Sequence, residues 1–355
     1  IGVQASFGLI IGATFMYLEN YYMQNTPLGY DKDEIIITNM NNNIRKSRDA
    51  FASQVKSFSG IEEVTYAEML LSSQDQYMGW GRKYRDKDIQ FQCLPVEPSF
   101  LKVMNVKISE GRDFREEDKA KRYGTFVFNE RARTEYGLEI GSLIDSMEIV
   151  GFMPDVKFAS FRTEVTPMAF FVWGTNNWGN QPNYAYIKVK AGSDLRGAMQ
   201  HVKTTLQSFD PEYPFNVRFF DEVLNGLYEK ERSLSSLITL FSLIAIFISV
   251  VGVFGLVVFD SEYRKKEIGI RKVLGSTTEE IIVMFNKTYI RILCVCFVLG
   301  APIAGYVVHR WLENFAYKTP MYWWVYLIAF AIIAVITILT VTFQNWRAAN
   351  ENPVH

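Results

Sequence analysis

The sequence predicts an α-helical membrane domain of four transmembrane helices joined to an α+β domain outside the membrane. Residues 1–18 and 234–343 are mostly apolar and are broken only by short polar links. Residues 19–233 instead have the mixed composition of a globular domain, in which short apolar runs typical of strands alternate with segments of helical periodicity. We therefore expect one domain in the membrane and one in water.

The first apolar segment, residues 1–18, is interpreted as transmembrane helix 1 with its start missing. It begins at Ile1, without the basic region that a signal peptide needs. Gly8 and Gly12 have the GxxxG spacing that permits close helix packing, although glycine is also simply common in membrane helices.

Residues 31–72 predict a β-α-β unit. The run 35–38 is a candidate buried strand, and 43–58 has helical spacing with its apolar residues on one side. Residues 61–71 then return to strand character. A second unit of the same kind is predicted over 184–220.

In this second unit, residues 184–189 alternate like a strand and 194–209 have the pattern of a helix, with Asp194 close to its start. Residues 215–219 alternate again. We interpret the two units as halves of one α+β subdomain, split by an insertion at 73–183.

The insertion is rich in predicted strands. A short helix is expected over residues 130–136, with Gly137 placed to end it. Residues 174–183 have the Gly, Asn and Pro content of a loop. The candidate strands are 89–94, 125–129, 146–152 and 167–173.

A polar helical stalk, residues 221–233, leads directly into the apolar segment 234–259, which contains no charged residue. As a helix this segment would be about 39 Å long, enough for a hydrocarbon core of about 30 Å. Residues 288–308 and 322–343 are predicted as transmembrane helices 3 and 4.

The short links predict the orientation of these spans. The link 260–287 is rich in Lys and Arg, whereas the link 309–321 contains only Arg310 and Lys318. Because basic links stay in the cytoplasm, we expect 260–287 and the tail 344–355 on the cytoplasmic side and 19–233 outside. The basic residues of the first link are Arg264, Lys265, Lys266, Arg271, Lys272 and Lys287.

Several kinds of chemistry are not indicated. No glycine is followed by lysine, so there is no P-loop, and neither HExxH nor CxxC occurs. The uncharged spans argue against a proton relay. Cys93, Cys294 and Cys296 do not form a disulfide framework, and the near-zero net charge indicates no nucleic-acid partner.

The charged stretch 260–282 lies between two apolar runs and has helical character. Glu267 and Arg271 are four residues apart and can pair on a helix. Gly275, with Ser276 and Thr277 after it, offers a helix end followed by a new helix start. Composition alone favours an amphipathic linker at the membrane surface.

The motif RKKEIGIRKVLGS in this stretch closely resembles the coupling segment of FtsX-like, MacB-type ABC transporter permeases. The stretches 100–114, 126–137, 148–171 and 346–354 are also similar to that family, in the same order along the chain. The sequence most resembles permeases of the Bacteroidetes type, in which two such four-span halves often share one chain, and the missing start of helix 1 fits a C-terminal half. The motif positions that match are Arg264, Glu267, Ile268, Gly269, Ile270, Arg271, Leu274 and Gly275.

The resemblance implies a periplasmic MacB-like domain with a Porter-like subdomain (31–72 and 184–220) and a Sabre-like insertion (73–183). It also implies mechanotransmission: a separate ATPase binds and hydrolyses ATP, and the stalk carries the motion to the periplasm. The segment implied to contact the ATPase comprises Arg264, Lys265, Lys266, Glu267, Ile268, Gly269, Ile270, Arg271, Lys272, Val273, Leu274 and Gly275.

The resemblance places the chain in a bacterial inner membrane and implies several partners. These are a cytoplasmic ABC ATPase, a second permease half or homodimer mate, membrane lipid and a periplasmic adaptor or lipoprotein. ATP and Mg would lie on the ATPase, and no cofactor, metal or catalytic residue is expected in this chain. The cargo would be a drug, a peptide or a lipoprotein.

Two other functions stay open. One is a signalling or scaffolding protein that transports nothing and regulates a periplasmic partner such as a cell-wall hydrolase. The other, a membrane-anchored enzyme, is disfavoured because no catalytic constellation is present. An ATPase that binds the segment 264–275 would distinguish the permease from both.

Overall fold

The computed structural model describes residues 2–71, 78–157, 164–176, 181–226, 229–263, 270–271 and 274–350. The chain divides into two compact units. The outer unit is Thr26–Glu229, and the helical unit combines Ile1–Asn25 with Lys230–His355.

Eleven strands are described, all of them in the outer unit. They are β1 Ile35–Asn39, β2 Ile61–Ala67, β3 Met78–Tyr84, β4 Lys87–Pro95, β5 Glu110–Gly111, β6 Thr125–Asn129, β7 Leu143–Ile144, β8 Met147–Met153, β9 Met168–Val172, β10 Tyr184–Val189 and β11 Arg218–Phe219.

Ten α-helices are described, together with a short 3-10 helix, Glu116–Ala120. The α-helices are α1 Gly2–Asn25, α2 Asn42–Lys46, α3 Arg48–Lys56, α4 Phe100–Val103, α5 Glu130–Tyr136, α6 Leu195–Phe209, α7 Phe220–Gly226, α8 Glu229–Tyr263, α9 Thr278–Leu312 and α10 Trp324–Asn350.

The first sheet has four strands in the order β11-β1-β10-β2, and all its pairs are antiparallel. Because β10 lies between β1 and β2, and β1 lies between β10 and β11, the two β-α-β units interleave in one sheet. This is the strand order of a ferredoxin-like fold. The chain leaves this sheet after β2, forms the insertion and returns to the sheet at β10.

Both faces of this sheet are buried, which explains the unbroken apolar run in β1. Ile36 belongs to a core cluster with Phe51 of α3 and Val202 of α6. Ile35 and Ile37 belong to a second cluster that includes residues of the insertion. Alternate residues of a strand face opposite sides, so β1 needs apolar side chains at successive positions.

The insertion forms its own mixed sheet in the order β3-β4-β9-β6-β8-β5, with β7 paired to β8. The pairs β4–β9 and β6–β8 are parallel. One side of the sheet carries an aromatic cluster in which Phe126 stands 4.9 Å from Phe171 and 5.7 Å from Phe91, measured between ring centroids. These rings make a rigid apolar core for the insertion.

Several predicted elements are confirmed. The strands β6 and β10 and the helix α5 have the predicted bounds. Gly137 ends α5 with φ of 65°, in the left-handed region that glycine adopts without strain. Asp194 is the N-cap of α6, where its carboxylate accepts a hydrogen bond from the Gly197 N–H at 3.0 Å.

Other predicted elements were wrong in their extent. The helix expected over 43–58 is two helices, because the chain turns out of helical geometry at Ser47 between α2 and α3. The strand expected over 61–71 ends at Ala67, and only Arg218–Phe219 of the strand expected over 215–219 pairs with β1.

In the helical unit, three described helices contain segments long and apolar enough to cross a membrane: Ser233–Phe259, Glu279–Leu312 and Trp324–Phe343. The helix α1 is not among them, so the predicted fourth span stays a prediction. The Ser6 hydroxyl of α1 donates to the Ala245 carbonyl of α8 at 3.0 Å.

The predicted stalk, 221–233, falls on α7 and the start of α8. Residues 227–228 between these helices lie outside the described residues, so the continuity of the stalk stays a prediction. From Glu229 onward α8 runs without interruption to Tyr263, which immediately precedes the predicted coupling segment.

Candidate functional site

The predicted coupling segment, 264–275, is only partly described. Ile270, Arg271, Leu274 and Gly275 lie within the described residues, and their geometry is given below. The rest of the segment lies outside them: Arg264, Lys265, Lys266, Glu267, Ile268, Gly269, Lys272 and Val273.

The described end of the segment is a glycine-terminated helix. The Leu274 N–H donates to the Ile270 carbonyl at 3.0 Å, and the Ser276 N–H donates to the Arg271 carbonyl at 2.9 Å. Gly275, between these two donors, has φ of 95°. The second bond and the left-handed glycine are those of a Schellman motif, which satisfies carbonyls at the end of a helix.

A new helix starts two residues later. The Thr277 hydroxyl accepts a hydrogen bond from the Glu280 N–H at 3.3 Å, and the Glu280 carboxylate accepts one from the Thr277 N–H at 3.2 Å. This reciprocal pair is a capping box, and it fixes the start of α9 at Thr278. The sequence prediction of a helix end followed by a helix start here is confirmed.

The first turns of α9 are anchored in the helical unit. Ile281 and Phe285 are buried in a cluster with Val257 of α8 and Val341 of α10. Hydrophobic packing therefore holds the capped turn in place from one side.

The two apolar side chains of the segment that the structure describes are exposed. The exposed fraction is 61% for Ile270 and 79% for Leu274. They lie beside basic residues in a link between two helices that can cross a membrane. Exposed apolar side chains in a charged link indicate a surface that another protein or lipid headgroups cover.

A further polar residue is buried at the opposite end of α9, and the sequence interpretation missed it. Glu19 of α1 has no exposed surface, and its carboxylate accepts a hydrogen bond from the Thr319 N–H at 2.7 Å. Thr319 lies in the link between α9 and α10. The carboxylate therefore ties the end of α1 to this link; the only sequence signal was a single acid directly after an apolar segment.

Among the described residues, no group of three or more His, Cys, Asp or Glu side chains has the arrangement of a metal site. The part of the candidate site that the structure describes consists of a capped turn and two exposed apolar side chains.

Comparison with protein families gives two matches that together cover most of the chain. Residues 7–205 match the family model described as a MacB-like periplasmic core domain. Residues 239–353 match the model described as the C-terminal part of FtsX-like permeases. The second match includes the whole segment 264–275.

Curated relatives match this chain at low sequence identity. The macrolide export ATP-binding/permease protein MacB of Chromobacterium violaceum is 23% identical over 230 residues, which are 62% of this chain and 35% of that protein. The MacB protein of Escherichia coli K12 is 23% identical over 233 residues, with the same coverage. The chain spans about a third of the length of these relatives.

Two solved structures are also similar. The periplasmic region of MacB from Actinobacillus actinomycetemcomitans covers 58% of this chain and 98% of its own, with a TM-score of 0.41 and 13% identity. A domain of a permease protein from Porphyromonas gingivalis covers 55% of this chain and 93% of its own, with a TM-score of 0.36 and 18% identity.

Proposed function

Because the chain belongs to the family of FtsX-like permeases with a MacB-like periplasmic core domain, we propose that it is the transmembrane subunit of an ABC transporter. In this proposal the membrane is a bacterial inner membrane and the outer unit Thr26–Glu229 lies in the periplasm. Since no P-loop occurs in the sequence, we assign ATP and Mg²⁺ to a separate cytoplasmic ATPase.

The exposure of Ile270 and Leu274 carries this proposal. Both side chains lie in the segment that we assign to the ATPase contact, next to a turn that is capped on both sides. A rigid turn lowers the entropy lost on binding, and exposed apolar side chains supply area to bury. The basic residues around them would meet acidic groups of the partner.

The coupling would be mechanical. The helix α8 has 35 residues and is therefore about 52 Å long. It ends at Tyr263, directly before the ATPase-contacting segment. A push on that segment would therefore move a continuous helix, and no cargo would need to cross the bilayer through the chain.

For the cargo, we propose only a chemical class. The curated relatives are named for macrolide export, which supports extrusion of a drug, while a peptide or a lipoprotein fits the same mechanism. A second permease half or a second copy of the chain would complete the transporter, with membrane lipid around it and a periplasmic adaptor or lipoprotein as a further partner.

Co-purification with an ATPase tests the proposal. The complete protein, expressed with its genomic neighbours and tagged on the permease, should bring down a P-loop ATPase from mild detergent. Leu274→Glu and Ile270→Glu should each lower the amount of ATPase recovered by at least fivefold, because each places a charge in the proposed apolar contact.

The matched control is Leu143→Glu, the same substitution at a similarly exposed leucine of β7 in the outer unit. It should leave ATPase recovery unchanged. Equal recovery with all three variants would remove the segment from the contact. Failure to recover any ATPase with the unaltered protein would favour a signalling or scaffolding protein that regulates a periplasmic partner.

A further inference from the structure

A cavity of about 410 Å³ opens within the outer unit, on the side where β2 and β4 end. One wall comes from α2, the start of α3 and the end of β2. The other wall comes from the insertion: the segment after β4, the 3-10 helix and the segment after β9. Its volume is within the range of small-molecule sites.

Backbone hydrogen bonds hold the floor of this cleft together. The Glu68 N–H donates to the Pro95 carbonyl at 3.1 Å, and the Glu97 N–H donates to the Tyr66 carbonyl at 2.9 Å. Between them, Ala67 and Val96 form an antiparallel bridge that connects the two sheets. The cleft is therefore preformed, and ligand binding would cost little free energy for organising it.

Basic side chains outnumber acidic ones in the lining. Arg45, Lys46, Arg48 and Lys119 are set against two carboxylates. One carboxylate, Glu97, is already paired, at 2.5 Å from Arg48 and 2.8 Å from Lys119.

Arg45 and Lys46 keep uncompensated charge. Among the described residues, the Arg45 guanidinium donates its hydrogen bonds to uncharged oxygens of Asn42, Pro182 and Asn183. Lys46 forms no ion pair within that part of the chain. A fixed guanidinium beside a free ammonium is a pairing that attracts an anion.

The second carboxylate, Glu68, is 6% exposed and accepts a hydrogen bond from the indole N–H of Trp173. Burial raises the pKa of Glu68 to about 7, and the hydrogen bond from Trp173 opposes that shift only in part. Near neutral pH this carboxyl is thus partly protonated, which increases the positive charge of the cleft.

We propose that this cleft binds a small organic anion, with the acidic group against Arg45 and Lys46 and an apolar group against Trp173. The shared chemistry is a carboxylate, sulfonate or phosphate attached to a ring or chain of modest size. The cleft is entirely within the outer unit, and binding there needs no ATP. The test of this site is therefore independent of the proposed coupling to an ATPase.

Fluorine NMR of the complete chain in lipid nanodiscs tests the site with two matched probes. Para-fluorobenzenesulfonate is an anion, and para-fluorobenzenesulfonamide is nearly the same shape without the charge. Line broadening of the sulfonate should saturate with protein concentration. The sulfonamide should bind at least tenfold more weakly, because it cannot pair with Arg45 and Lys46.

Lys46→Glu should weaken sulfonate binding at least tenfold, since it replaces an attractive charge by a repulsive one. Lys46→Gln, which only removes the charge, should have a smaller effect in the same direction. The control is Lys203→Glu, the same reversal at an exposed lysine of α6 that does not line the cleft. Circular dichroism of the variants checks that each one folds.

The dependence on pH provides a second measurement. The sulfonate keeps its charge between pH 6 and 8, so a change in affinity reports the protein. Protonation of Glu68 at the lower pH should tighten binding roughly fivefold. Glu68→Gln should bind tightly at both values and lose this dependence.

Other titratable and charged groups around Glu68 do not explain such a change. Arg45, Lys46, Arg48 and Lys119 are basic, and Glu97 is ion-paired. Burial raises the pKa of both the Tyr66 phenol and the Cys93 thiol behind the sheet. Both groups therefore stay protonated between pH 6 and 8.

Three results would overturn the proposal. Equal affinity for the sulfonamide would show an apolar pocket without anion selectivity. Equal loss of binding in Lys46→Glu and Lys203→Glu would show a non-specific effect of surface charge. No saturable broadening of the sulfonate at millimolar concentration would show that the cleft does not bind organic anions of this size.

Discussion

Two carboxylates in the outer unit show how neighbours decide the charge of a buried acid. Glu68 has one hydrogen bond from Trp173, and burial raises its pKa. Burial also acts to raise the pKa of Asp118, which is 1% exposed, but it is outweighed. Arg112 donates to both Asp118 oxygens at 2.8 Å, and the Arg115 N–H adds a third bond, so the pKa of Asp118 is lowered.

Glu68→Gln should therefore stabilise the outer unit at pH 8 and have little effect at pH 5. The pKa of Glu68 rises from 4.5 to about 7 on folding, so the native state binds the proton more tightly. Stability is then highest below the lower value and falls as the pH rises between the two. Gln still accepts the Trp173 hydrogen bond, and the gain at pH 8 should be about 2 kcal/mol.

Thermal unfolding of the complete chain, followed by tryptophan fluorescence at both pH values, measures this difference. Glu62→Gln is the control, because Glu62 is exposed and lies on β2, which ends one residue before Glu68. The same shift at pH 5 and pH 8 in Glu68→Gln would mean that protonation of Glu68 is not its cause.

At the scale of elements, the sequence predicted best what depends on local chemistry. The caps of α5, α6 and α9 were readable because Gly137, Asp194 and Thr277 act on their own neighbours. The strand β3 was missed, since glycines interrupt its alternating pattern. The position of β10 between β1 and β2 could not be predicted, because it pairs residues more than 100 positions apart.

In the candidate site, too, local residue types predicted some features, while others depend on residues distant in the sequence. The helix end at Gly275 and the start after Thr277 followed from residue types, and the assignment to an ATPase contact came only from the resemblance of the motif. Glu19 and Glu68 were not predicted, because their burial depends on distant residues such as Thr319 and Trp173.

The glycine cap gives a prediction at this scale. Gly275→Val should loosen the turn at 270–277, because a β-branched residue is strained at φ of 95°. Gly275→Asn should be tolerated much better, since asparagine enters the left-handed region more readily. No atom of the described residues lies within 4 Å of the position where a Cβ would be placed, so a clash with them does not account for the difference.

Hydrogen exchange of the Leu274 and Ser276 amides measures this effect. Both amides donate across the helix end, and exchange should be at least tenfold faster in Gly275→Val than in Gly275→Asn. Equal exchange rates in the two variants would show that the glycine conformation does not stabilise the turn.

At the scale of the whole molecule, the distribution of apolar surface separates the two units. Helices α8, α9 and α10 expose large apolar side chains along their lengths, among them Phe247, Val298 and Leu339. Such surface needs lipid or protein around it. We propose that the helix ends next to the basic link 260–287 face the cytoplasm.

Labelling single cysteines tests this topology. In a background of Cys93→Ala, Cys294→Ala and Cys296→Ala, an impermeant maleimide should label Glu313→Cys in intact spheroplasts. Ser276→Cys should react only after the membrane is opened, because we place its link in the cytoplasm. Leu143→Cys in the outer unit should react like Glu313→Cys, and the reverse pattern at Ser276 would invert the orientation.

The place of the insertion in the first sheet has a consequence for how such chains diversify. The insertion begins after β2 and ends at β10, and Ala67 lies directly opposite Tyr184 in their pairing. The two ends are therefore one strand spacing apart, about 5 Å. Evolution, like laboratory grafting, can lengthen or replace the inserted module without changing the register of the four-stranded frame, provided that the new module covers the face that carries Ile35 and Ile37.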